Sequence, residues 1–135
     1  MQSLPGEEGK IMADELKEEV DVEIIPDSFA GKILKQCDFA VAGSDSFNHE
    51  RFVNKTGTFI LAVLCEYLSK PFVVASSSYK YADSLLTVRN IFEITPMNMV
   101  NYFIWEKDVK GVCDELFEEI RERVENINFP EGNYL

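Results

Sequence analysis

Histidine is nearly missing from this chain: one residue of 135, His49, is a histidine. A histidine metal cluster is therefore excluded. Cysteine is scarce as well. Cys37, Cys65 and Cys113 are odd in number, far apart and set in apolar contexts. They read as reduced, buried thiols, not as a disulfide frame or a zinc site. Long apolar runs are absent, and none reaches the roughly 18 residues a membrane span needs. Met1 to Lys10 is polar, so no signal peptide is expected, and the expected location is the cytoplasm. Basic residues are the minority, 13 against 24 acidic ones, for a net charge of −11. That balance argues against nucleic acid or an anionic membrane as a direct partner and fits solubility. No strand is followed by Gly-x-Gly-x-x-Gly, so a dinucleotide-binding reading has no support. No metal and no cofactor is expected.

What is present points to a globular domain. Apolar residues make up 46% of the chain, enough for one core in a single domain of this length. The organising stretch runs from Cys37 to Thr58. Phe39 to Gly43 is a short apolar run with the make-up of a buried strand. Ser44 and Asp45 follow, then a polar loop to Arg51. Asn54-Lys55-Thr56-Gly57-Thr58 closes the loop and opens a helix near Phe59. In open α/β sheets, ligands bind beyond the carboxyl ends of strands. A helix start presents free N–H groups and partial positive charge, which suits phosphate.

The rest of the chain alternates helices and strands. Glu7 to about Glu18 reads as an amphipathic helix with Ile11, Met12 and Leu16 on one side. Val20 to Ile25 alternates apolar and acidic residues and reads as a strand near a sheet edge. Pro26 ends it, and Asp27 or Ser28 caps a short helix to about Gln36, with Phe29, Ile33 and Leu34 inward. Gly57 to Ser69 is the most apolar helix, which implies burial on more than one side. Phe72 to Ala75 is a further buried strand, followed by a polar loop, Ser76 to Tyr81. Leu85 to Val100 reads as irregular structure with room for one short strand. Asn101 to Trp105 is a strand. Asp108 caps a last helix to about Asn126, and residues 127–135 form a tail. This order calls for a parallel sheet flanked by helices.

The segments Gly43-Ser44-Asp45 and Asn54-Lys55-Thr56-Gly57-Thr58 resemble the C-terminal domain of the translation initiation factor 2B alpha/beta/delta family. That family includes methylthioribose-1-phosphate and ribose-1,5-bisphosphate isomerases. Ser3-Leu4-Pro5 with Gly9, Ile25-Pro26-Asp27-Ser28, and Pro71-Phe72-Val73-Val74-Ala75 with Lys80 are similar to further family segments, in the same order. The resemblance implies a three-layer Rossmann-like domain with a mostly parallel sheet of about four strands and helices on both faces. It also implies that residues 1–135 are one partial domain, matching the back part of the family's. The first strand, Val20 to Ile25, is then left with an open edge, an association hazard, so a dimer or larger assembly is expected.

The resemblance also assigns roles. Asp45 stands where the isomerases have an acid/base residue; its plainer role is to cap the turn after a strand. Asn54 and Lys55 match the substrate-contacting pair, and Lys suits a phosphate as a point charge. Gly57 and Thr58 serve the helix start and are expected beside the ligand's phosphate, and Lys80, at the same end of the sheet, is expected to converge on the same pocket. The isomerases' catalytic Cys and phosphate-gripping Arg segments have no counterpart here, and Glu8 replaces a substrate-contacting Gln. Two functions follow. One is an initiation-factor-2B-like regulatory and association module, with initiation-factor partners and a pocket for a sugar phosphate or nucleotide. The other is an aldose–ketose isomerase of a ribose phosphate that uses Asp45.

Overall fold

The structure, a computed structural model, describes residues 8–84 and 90–126. Its centre is a four-stranded sheet in the order β1 (Ala40–Gly43), β4 (Phe72–Ala75), β6 (Tyr102–Ile104), β7 (Val109–Gly111). The first three strands are parallel and β7 is antiparallel. The helices are α1 (Glu8–Leu16), α2 (Ala30–Leu34), α3 (Thr58–Tyr67) and α4 (Asp114–Glu125). The mixed α/β architecture with a mostly parallel four-stranded sheet is thus the expected one.

Strand alternation decides where the core lies. Phe72, Val74 and Phe103 share one face of the sheet with Ala40 and Ala42. On that face they meet Ala62 and Cys65 of α3 and Leu116, Phe117 and Ile120 of α4. Phe47 joins from outside the sheet and packs on Phe103 and Phe117, with ring centroids 4.8 and 6.3 Å away. The opposite face carries Val41 and Tyr102, which are 48% and 47% exposed.

A second sheet is antiparallel and was not foreseen. It has the order β2 (Ser46–Phe47), β3 (Arg51–Lys55), β5 (Phe92–Pro96). The expected polar loop after Asp45 is therefore a hairpin. Its turn is built by Asn48, whose Oδ1 accepts the N–H groups of Glu50 and Arg51 at 2.9 and 3.0 Å. Phe47 and Phe52 point into the core from this hairpin, and Val53 is buried on its other face. β5 supplies the one strand expected between Leu85 and Val100; residues 85–89 lie outside the described residues.

Five expectations need correction. Phe39 to Gly43 holds a strand but not a buried one, because β1 lies at a sheet edge with Phe39 and Val41 exposed. Val20 to Ile25 is not a strand. Alternation alone does not suffice, because a strand needs a neighbour to take its N–H and C=O groups, and this segment has no ladder partner among the described residues. The unpaired edges of the main sheet belong to β1 and β7 instead. The last helix starts at Asp114, not after Asp108. Asp108 belongs to the β6–β7 turn, where its Oδ1 accepts the Trp105 Nε1–H at 2.8 Å. Cys113 is exposed and Cys37 half-buried, so of the three thiols only Cys65 is a core group. Ile11, Met12 and Phe29 are exposed rather than packed.

Candidate functional site

β1 ends at Gly43, and Asp45 follows two residues later. Its N–H donates to Val53 O at 2.8 Å, which ties the post-strand turn to β3. Ser44 is buried beside it, its Oγ–H donating to Ser46 O at 2.9 Å. Asn54 and Lys55 are the last two residues of β3. The chain must then turn from strand into helix, and Gly57 makes the turn with φ at +111°. Only glycine adopts that conformation without strain.

The helix start is held by two interlocking bonds. Thr58 is buried; its Oγ1–H donates to Lys55 O at 2.8 Å, while the same oxygen accepts from Asn54 Nδ2 at 3.0 Å. The amides of Gly57 and Phe59 both donate to one oxygen of Glu93, at 2.9 and 2.8 Å. The free N–H groups expected at the start of α3 are thus not free at these two positions: an internal carboxylate takes them.

A groove of about 640 Å³ runs along β1 to this point. Asp45, Asn54, Lys55, Gly57 and Thr58 line it together. Lys80 does not. It is exposed, in the 3-10 turn Ser78–Lys80 after β4. Its turn is pinned elsewhere, because Ser78 donates both N–H and Oγ–H to Glu106. Burial pushes the Glu106 carboxyl up, but the two Ser78 hydrogen bonds and Arg123 outweigh that and hold it below the usual carboxylate range. Glu8's side chain lies outside the described residues. A second cavity of about 620 Å³ lies at the amino ends of β4 and β6, beside Lys70, Pro71 and Asn101, and holds none of the predicted residues.

Cys37 also lines the groove, its Sγ–H donating to Ile33 O at 3.4 Å. It precedes β1 while Asp45 follows it, so the strand, about 13 Å long at the usual rise, lies between them. Cys37 is therefore out of hydrogen-bond reach of Asp45. The Cys65 thiol is raised above its ordinary pKa, first by burial and then by the nearby Cys37. Among the described residues no group of three or more His, Cys, Asp or Glu side chains is placed to hold a metal. No described helix is long and apolar enough to cross a membrane. The residues that line this end of the groove thus include an acid, an amide and a lysine. The residue that sequence reasoning missed is Glu93. Its signal was an acid inside the otherwise apolar run Ile91-Phe92-Glu93-Ile94.

Comparison with known proteins shows the family and the fold. The model of the Initiation factor 2 subunit family matches residues 1–123. A putative translation initiation factor eIF-2B subunit 2-like protein of Pyrococcus furiosus is 32% identical over 124 residues, covering 78% of this chain and 45% of the relative. The ribose 1,5-bisphosphate isomerase of Methanocaldococcus jannaschii is 29% identical over 94 residues, covering 69% of this chain and 30% of the relative. The crystal structure of translation initiation factor eIF-2B from Pyrococcus horikoshii superposes with a TM-score of 0.74 at 27% identity, covering 86% of this chain and 49% of that one. This chain spans less than half the length of these curated relatives.

Proposed function

The chain belongs to the Initiation factor 2 subunit family, and on that premise we propose that it is a non-catalytic, initiation-factor-2B-like association module. Its relatives include both initiation-factor-like proteins and sugar-phosphate isomerases, so membership alone does not choose between the two. In this reading the protein acts in the cytoplasm with itself and with initiation-factor partners, without direct contact to nucleic acid or membrane. Its groove receives a ribose phosphate or a nucleotide such as AMP. The observation that carries the pocket is the convergence of Asp45, Asn54 and Lys55 at the carboxyl end of β1. Ligands in open α/β sheets bind at that end.

The association half rests on exposed apolar surface. Phe39 and Val41 flank the unpaired edge of β1, and Phe59, Ile60 and Val63 line one side of α3; all are exposed. Contiguous apolar surface and an open strand edge favour a partner.

The isomerase reading uses the same groove, with Asp45 moving a proton between the carbons of the opened sugar. Proton transfer of this kind needs both an acid and a base within hydrogen-bond reach. The separation of Cys37 from Asp45 favours the non-catalytic reading. The test is incubation with ribose 1,5-bisphosphate and methylthioribose 1-phosphate, followed by proton NMR. No ketose with either sugar supports the module. Ketose formation by wild type that disappears in Asp45→Asn establishes the isomerase instead.

A further inference from the structure

The Ala40 N–H donates to Pro71 O at 3.0 Å, so the backbone groups of Ala40 and Ala42 face β4. Those of Val41 and Gly43 alternate to the other side, where no strand pairs with β1 among the described residues. The groove follows this strand from Phe39 to Gly43 and is also lined by Ile25. Ile25 ends the segment from Val20, which has a strand's alternation and no ladder partner, with Val20, Val22 and Ile24 exposed. An open strand edge and an unpaired strand-like segment thus border one groove. Its lining there is apolar and includes Met12, Ile33 and Leu34. The charge beside it has one sign: Glu18, Glu19, Asp21, Glu23 and Asp27 carry acids, and no base lies among them.

We propose that this slot takes an extended segment of a partner protein, which pairs with β1 as an added strand. The segment has apolar residues at alternate positions and lysine or arginine at its ends. Backbone pairing to Val41 and Gly43 supplies affinity, and the alternate side chains reach the apolar lining. The basic ends answer the acids between Glu18 and Asp27. The inference rests on the reading of the β1 edge as an association surface and adds the kind of partner. It leaves Asp45, Asn54 and Lys55, beyond the carboxyl end of β1, to the small ligand.

The test uses a short fluorescent peptide of alternating Val and Thr with a lysine pair at each end, titrated at constant ionic strength and read by anisotropy. Its counterparts carry N-methyl groups on alternate amides, or glutamate pairs in place of the lysines. The protein variants are Val41→Pro and Val41→Thr. Proline on an edge strand removes the outward N–H without breaking the sheet, and threonine keeps it. Wild type and Val41→Thr should bind the lysine peptide saturably. Val41→Pro, the N-methylated peptide and the glutamate peptide should each raise the apparent Kd about tenfold or more. Where Val41→Pro does not fold, the N-methylated peptide makes the same comparison on wild type. Equal affinity for the plain and N-methylated peptides overturns the inference, as does no binding of the lysine peptide to wild type. Loss of peptide binding as the protein's own concentration rises assigns the edge to a second copy and also overturns it. Failure of the association reading shows separately, by sedimentation, as a wild type that stays monomeric.

Discussion

Asn54 and Glu93 face each other across β3 and β5, and both reach to the start of α3. Asn54 donates to the Thr58 hydroxyl, and Glu93 accepts from Gly57 and Phe59. The second sheet thus fixes the end of the groove where the main sheet's first crossover begins. Its mechanical role and its place beside Asp45 are one arrangement.

Thr58→Val keeps the shape of this corner and removes its hydroxyl. The Lys55 carbonyl and the Asn54 amide then lose a buried partner. Unsatisfied groups of this kind cost about 1–3 kcal/mol. Urea denaturation of wild type and variant measures the difference, and a loss under about 0.5 kcal/mol contradicts the geometry.

Gly57 is required for its backbone and not for space. No atom lies within 4 Å of a Cβ built there, yet φ is +111°. Gly57→Ala should lose about 1–3 kcal/mol from strain alone. Gly111→Ala is the control: its nearest neighbour is 3.9 Å away and its φ is unremarkable. The control should melt close to wild type.

Three of the main sheet's four strands were legible because they are short, continuous apolar runs; β7, Val109-Lys110-Gly111, is not one and lay inside the span expected to be the last helix. Phe39 to Gly43, Phe72 to Ala75 and Asn101 to Trp105 each hold a strand close to the expected bounds. The second sheet was hidden because its strands are short and carry polar residues. Ser46 and Phe47 form a two-residue strand, and Arg51 to Lys55 mixes charge with Phe52 and Val53. Pairing, not pattern, makes them strands. Val20 to Ile25 is the converse, a clean alternation with no neighbour. In the site, Asp45, Asn54, Lys55, Gly57 and Thr58 were visible because they are contiguous or bracket one turn. Glu93 comes 35 residues after Thr58, and only the β3–β5 register brings it there.

Glu106 gives the fold a defined acid limb. Its folded pKa lies below its ordinary value, which is about 4.3 in the unfolded chain. The stability it contributes is therefore present above that ordinary value and is lost as pH falls through the lower folded value. Ser78→Ala removes the strongest stabilising bond, so its Tm should fall less steeply than that of wild type between about pH 5 and 3. Parallel Tm curves for the two proteins contradict this.

Self-association should depend on the open edge of β1 and the exposed side of α3. Val41→Lys and Ile60→Lys place charge on apolar positions that are exposed in the single chain. Sedimentation should find wild type as a dimer or larger and the double variant shifted to monomer, with little change in Tm. A wild type that stays monomeric at about 100 times the usual micromolar range, where even weak interfaces pair, contradicts the association role.

The central claim is that the groove between Asp45 and Thr58 binds a phosphorylated ribose. The most direct measurement is a thermal titration of wild type and Lys55→Ala with ribose 1,5-bisphosphate, methylthioribose 1-phosphate and AMP. The account predicts a concentration-dependent rise in Tm with at least one of them, weakened by about tenfold or more in Lys55→Ala as a charge contact is lost. A wild type that melts cooperatively and responds to none of the three contradicts it.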